Sequence, residues 1–155
     1  RSHWIDADGD CQNPRQEVLI EESVEPVVLD GKGCKVLSGR WHDPYTGQTF
    51  TNPGELDIDH LVPLAEAHRS GGYSWDADMR KAFANDLSDT RSLIAVKASV
   101  NRSKSDGDPA RWLPANEAYH CEYVTAWIAI KKLWRLVMDA QEKVVIYRLQ
   151  SECDD

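Results

Sequence analysis

The pattern of hydrophobic and polar positions changes period several times along the 155-residue chain, and each change predicts an element. From Asn13 the run Asn-Pro-Arg-Gln-Glu-Val-Leu-Ile-Glu-Glu sets a capping side chain and a first-turn proline ahead of apolar positions, which predicts a helix. Residues 35–41 alternate weakly, 43–47 (Asp-Pro-Tyr-Thr-Gly) form a turn, and 48–51 and 56–62 read as extended until Pro63 ends them. Helical spacing returns over 64–68 and 76–84, followed by a short apolar strand over 92–96 and a brief polar helix over 99–104. Beyond Pro114, Tyr119, Tyr123, Trp127, Ile130, Trp134 and Val137 recur at three- and four-residue spacing. That stripe predicts one long helix facing the core, with a second helix from about 141 to 153. At helical spacing these aromatics read as core rather than as a base-stacking platform. Without repeats or linkers, residues 1–155 read as a single domain of α+β class: a small antiparallel sheet and short helix, then a mainly helical carboxyl-terminal half.

Composition narrows the setting. With 41% hydrophobic and 28% charged residues the chain suits one soluble globular unit, expected to be a monomer, and no apolar run approaches the roughly 18 residues that a membrane span needs. It opens with polar Arg1-Ser2-His3 rather than an apolar signal segment, so any such segment is expected to have been removed. Cys11, Cys34, Cys121 and Cys153 contain no CxxC pair, which disfavours a zinc knuckle or a dithiol redox motif. Two disulfides fit better, with Cys11–Cys34 and Cys121–Cys153 the simplest pairing, each stabilising by roughly 3 kcal/mol. They imply an oxidising, extracellular compartment; four buried thiols in a cytosolic protein are the alternative.

The net charge of -8 excludes a uniformly basic polyanion binder, yet the charge is unevenly spread. Residues 1–30 carry eight acids against Arg1 and Arg15, whereas residues 91–111 carry Arg91, Lys97, Arg102, Lys104 and Arg111 against Asp106 and Asp108. The segment Asp6-Ala7-Asp8-Gly9-Asp10 with Glu17 spaces its acids at positions one, three, five and twelve of a calcium loop, although its glycine stands at position four rather than six. A turn leading into the next helix is the plainer interpretation, and a structural Ca²⁺ at Asp6, Asp8 and Asp10 the sharper one.

The chemistry concentrates in Leu56-Asp57-Ile58-Asp59-His60-Leu61-Val62-Pro63, where two carboxylates and an imidazole interrupt an otherwise buried strand. Such groups need a partner or a metal to offset desolvation. In extended geometry Asp57 and Asp59 share one face and His60 points to the other, so a bend at Pro63 is needed to bring them to a common cleft. The polar run Ser99-Val100-Asn101-Arg102-Ser103-Lys104 follows the second strand, and one hard cation held between Asp59 and Asn101 would complete an octahedron with waters and phosphate oxygens.

Asp57 to Pro63, then Ser92-Leu93, then Asn101-Arg102-Ser103-Lys104 resembles the HNH or His-Me finger (ββα-metal) endonuclease motif, whose core here is about residues 56–104. Most of the chain is similar to secreted, disulfide-containing bacterial and fungal members of that family, which share the runs here at residues 8–11, 38–41, 43–47 and 101–104. The resemblance implies a general base at His60, metal ligands at Asp59 and Asn101, and Mg²⁺ or another divalent cation such as Mn²⁺. Ser92 stands where relatives carry an asparagine that braces the base, a role Asn85 could take instead. The implied reaction is hydrolysis of DNA, and of RNA as a second candidate substrate, with little sequence preference and 5′-phosphate ends. An ordinary imidazole titrates near about 6.5, so the activity should fall below that pH. Lys104, Arg102 and Arg40 are candidate phosphate contacts, each set against a plain surface role. Asp57 and Glu66 read as bracing or surface charge, and His3, His42, His68 and His120 as surface or structural groups. A calcium-binding extracellular adhesion or inhibitor module with a structural His-Asp-Asn cluster is the alternative, and a toxin nuclease domain needing an inhibitor partner a third possibility.

Overall fold

Asn13 starts the first helix as its side chain dictates. Its Oδ1 accepts the Gln16 N–H at 3.1 Å and Pro14 fills the first turn, giving α1 (Pro14–Glu22). The computed structural model describes residues 4–153, so Arg1, Ser2 and the assignment made for His3 lie outside the described residues. Three antiparallel pairs follow: β1 (Val28–Leu29) with β2 (Val36–Ser38), β3 (Trp41–His42) with β4 (Thr49–Phe50), and β5 (Leu56–His60) with β6 (Leu93–Lys97). Between β5 and β6 the chain inserts α2 (Leu64–Arg69) and α3 (Ala77–Ala84), the latter capped by Asp76, whose Oδ1 accepts the Met79 N–H. After β6 come α4 (Ala98–Lys104), α5 (His120–Leu133) and α6 (Ala140–Cys153), completing an α+β fold.

The β5–β6 hairpin is a partition between two apolar clusters. Its register pairs Leu56 with Lys97, Asp57 with Val96, Ile58 with Ala95, Asp59 with Ile94 and His60 with Leu93. Strand alternation sends Leu56, Ile58, Leu93 and Ala95 to a cluster with Val18, Leu19 and Trp41. Ile94 and Val96 go the other way, to the larger cluster of Tyr45, Tyr123, Trp127, Ile130 and Ile146. With helices on both faces β6 is buried from Leu93 to Val96, and Asp59 is committed to the side of the larger cluster.

One expectation holds and one is corrected. The turn at 43–47 forms, but Tyr45 points inward and is fully buried, edge-on to Trp112 and Tyr123. The apolar stripe does not continue to Val137, which is 66% exposed. Instead α5 ends as Arg135 takes a left-handed φ of 56°, with Arg135 N–H donating to Lys132 O and Leu136 N–H to Lys131 O. That double closure satisfies the last carbonyls and offsets the roughly 1–2 kcal/mol that a side chain costs in this conformation. The break turns α6 back along α5, where Cys121–Cys153 joins them; Cys11–Cys34 ties the segment before α1 to the loop before β2.

Candidate functional site

His60 ends β5 on the face it shares with Leu56 and Ile58. It is half-buried, stacked on Trp4 at 5.4 Å between ring centroids, and its Nε2 lies 2.9 Å from the Ala84 carbonyl oxygen at the end of α3. The expected brace from Ser92 takes a different form. Ser92 is buried and its backbone oxygen accepts the Leu61 N–H at 3.0 Å, anchoring the chain just after His60, while the contact to the imidazole itself comes from Ala84. Asn85 donates to Lys81 O, and its Oδ1 accepts the Ile5 N–H.

Asp59 faces the opposite way. Only 5% exposed, it accepts the Tyr45 hydroxyl at 2.5 Å and the Lys104 ammonium at 2.6 Å, both on Oδ2. Lys104, the last residue of α4, also donates to the backbone oxygens of His60 and Leu61 at 3.1 and 2.7 Å, and lies near the rings of Tyr45, Trp112 and Tyr123. Burial pushes the Asp59 carboxyl up and the Lys104 ammonium down, and each charge opposes the other's shift. Burial likewise holds the Tyr45 and Tyr123 hydroxyls well above their ordinary range, so Tyr45 is a hydrogen-bond donor here rather than a phenolate.

Lys104 is therefore not a phosphate contact: at 2% exposure it cannot meet a polyanion, and its charge is absorbed by Asp59. Asn101, three residues earlier on the same helix face, donates to Asp57 Oδ2 at 3.0 Å, where Arg102 also approaches Oδ1 at 3.4 Å. The structure thus brings Asn101 to Asp57 and gives Asp59 to Lys104. Arg102 stays 73% exposed, and Arg40, between β2 and β3, pairs loosely with Glu25 at 3.5 Å.

Among the described residues, the carboxylates of Asp57 and Asp59 and the imidazole of His60 do not form a group closed to within 4.8 Å. Two other groups do: exposed Asp6, Asp8 and Asp10, and buried Glu66, Asp108 and Glu142. In the first, the carboxylates accept backbone N–H groups of Cys11, Asp10 and Gln12 and so form a ring of acids before α1. Glu17 is pushed up by partial burial and then by the charges of Asp8 and Asp10. In the second, Lys131 donates to Glu66 and Glu142 at 2.7 Å each, Trp127 Nε1 donates to Glu142, and Asp108 holds Arg111, so protein groups already serve these carboxylates. Glu66 is thus a structural partner rather than surface charge. The signal for this network was Lys131 at four residues from Trp127, on the apolar stripe.

The sequence pattern of the family described as GmrSD restriction endonucleases, C-terminal domain, matches residues 14–149, which take in β5, β6 and α4 but not Trp4 or the acids of residues 6–10. The chain belongs to this family. A relative within reach of this GmrSD C-terminal-domain chain is a protein of Arthroderma benhamiae named "Uncharacterized secreted protein", 40% identical over 151 residues that cover 97% of this chain and 72% of the relative. No solved structure matches the chain.

An endonuclease family suggests a divalent cation, and the donor types beside β5 suit one. Asp59 Oδ1 and Asn101 Oδ1 accept no hydrogen bond among the described residues, and both are hard oxygen donors of the kind Mg²⁺ takes. The two disulfides are at home in an oxidising, extracellular compartment. Among the described residues no helix is long and apolar enough to cross a membrane.

Proposed function

We propose that this member of the GmrSD C-terminal-domain family is a secreted, metal-dependent endonuclease of the HNH type. It hydrolyses phosphodiester bonds of DNA, and of RNA as a second substrate, with little sequence preference, leaves 5′-phosphate ends, and acts as a monomer. The observation that carries this proposal is His60, half-buried at the end of the hairpin that α4 packs on, with its ring set by a backbone carbonyl and an aromatic face. If Nε2 donates its proton to Ala84 O, the ring's Nδ1 is the basic nitrogen and takes the proton from the attacking water. Asp59 and Asn101 would hold a divalent cation through the oxygens left unbonded, and when bound it neutralises charge on the scissile phosphate. Lys104 sets the height of the β5 terminus through His60 O and Leu61 O, and Arg102 is the exposed cation on α4 suited to a substrate phosphate.

The acids of residues 6–10 support a second, structural role for Ca²⁺ beside the hydrolytic site, which accounts for the Asp-rich start without the adhesion or inhibitor alternative. Incubation of supercoiled plasmid with protein and Mg²⁺ should give nicked circles whose 5′ ends accept label only after phosphatase treatment. EDTA and His60→Ala should each abolish nicking; nicking that survives either one retires the mechanism.

A further inference from the structure

Of the cations expected to attract a polyanion, Lys104 is buried against Asp59, and the more exposed Arg91 and Arg111 are each paired with an aspartate, Asp89 at 2.8 Å and Asp108 at 2.7 Å. In a chain of net charge -8, a nucleic-acid substrate gains from a source of positive charge beyond Arg102. One lies on the far side of the carbonyl that contacts His60. A groove of about 410 Å³ runs between α2 and α3, with Trp75, Phe83 and Ala84 in its wall and His68, Arg80 and Lys81 among its exposed lining.

Arg80 is anchored by a 2.7 Å hydrogen bond to the Trp75 backbone oxygen, which holds its guanidinium at the groove that Trp75 also lines, and the Lys81 ammonium makes no hydrogen bond or ion pair among the described residues. Aromatic faces next to paired cations are the chemistry of an unpaired nucleotide, with a base on the ring and a phosphate on the charge. The groove has the size of a small-ligand site, and a base still paired and stacked within a duplex could not enter it. Ala84 lines this groove and its carbonyl oxygen contacts His60 Nε2, so a nucleotide seated there adjoins the imidazole.

We propose that this groove is a substrate subsite that captures one unpaired nucleotide of the strand being cut, with its base against Trp75 and its phosphate at Lys81 and Arg80. The proposal rests on the nuclease reading for its cleavage geometry, but its binding step can be tested without cleavage. Fluorescence anisotropy in EDTA should compare a labelled twelve-nucleotide single strand with the matching blunt duplex. Lys81→Glu should weaken single-strand binding about tenfold and lower the slope of log affinity against log salt by about 1. Ala77→Trp, which fills the groove from the start of α3 without a charge change, should weaken it about fivefold with the slope unaltered. Lys143→Glu, the same charge change at an exposed position of α6, should stay within about twofold of wild type. Should the charge reversal lower Tm, Lys81→Gln carries the same test.

Wild-type affinity in both groove variants, an equal loss in Lys143→Glu, or equal losses for the duplex would overturn the subsite. Lys81-dependent binding by a protein that never nicks plasmid would instead retire the nuclease reading and keep the groove. Nicking with a KM indifferent to both groove variants would retire the groove and keep the nuclease.

Discussion

On one face of β5, Asp57 and Asp59 look toward α4 and the aromatic cluster around Tyr123, and each meets a partner: Asn101 and Arg102 for the first, Tyr45 and Lys104 for the second. On the other face His60 stands above Leu56 and Ile58, half-exposed, in contact with an aromatic plane and a backbone carbonyl. The same five-residue strand thus carries a face whose charges build the fold and a face whose one titratable group meets, among the described residues, a backbone carbonyl and an indole. A charge sunk in the core is tolerable only when neutralised, which makes it a poor reactant; an imidazole at the rim can change protonation state without unmaking the core.

That contrast can be broken most sharply at His60. Replacing it with alanine should lower the nicking rate by about 10²–10⁴-fold while moving stability by less than about 1 kcal/mol, measured as Tm alongside activity. The reverse signature belongs to Lys104. Lys104→Met strands the Asp59 carboxylate in the core and should cost about 3–5 kcal/mol in denaturant unfolding, far more than His60→Ala.

Glu22 sharpens the comparison because it is a carboxylate against the same hairpin without an ion pair among the described residues. Its Oε1 accepts the Ala95 N–H from β6, and burial pushes its pKa up to about 7. The folded state therefore binds this proton more tightly than the unfolded chain does, so its contribution to stability falls as pH rises from about 4 to 7 and is flat above. Glu22→Gln should leave stability at pH 4 nearly unchanged and raise it at pH 8 by at most about 3 kcal/mol, read from unfolding at the two pH values. A smaller effect separates both faces from the acidic ring outside the core: Ca²⁺ should raise the wild-type Tm by a few degrees, and Asp8→Ala should abolish that rise. A Ca²⁺ response that persists in Asp8→Ala would remove the ring from consideration as a cation site.

Local sequence determined most of the elements, because their signals act over a few residues. The Asn13 and Asp76 caps, the proline stop after β5 and the apolar run of β6 each specify their own backbone within one or two turns. The two disulfides, which join residues 23 and 32 apart, were legible from four cysteines without a CxxC pair rather than from local structure. What distance along the chain separates, only tertiary packing could decide. Lys104 looked like a surface cation because its neighbours are polar, and it is buried because its helix face meets β5 forty-five residues earlier. Tyr45 left a turn for the core, and Lys131 joined Glu66 across sixty-five residues. The partners of His60 came from Trp4 and Ala84, a segment before α1 and the end of α3, which no spacing around the motif could indicate. A charge's role is set by the dielectric and the partners around it, and these exist only once the chain has closed upon itself.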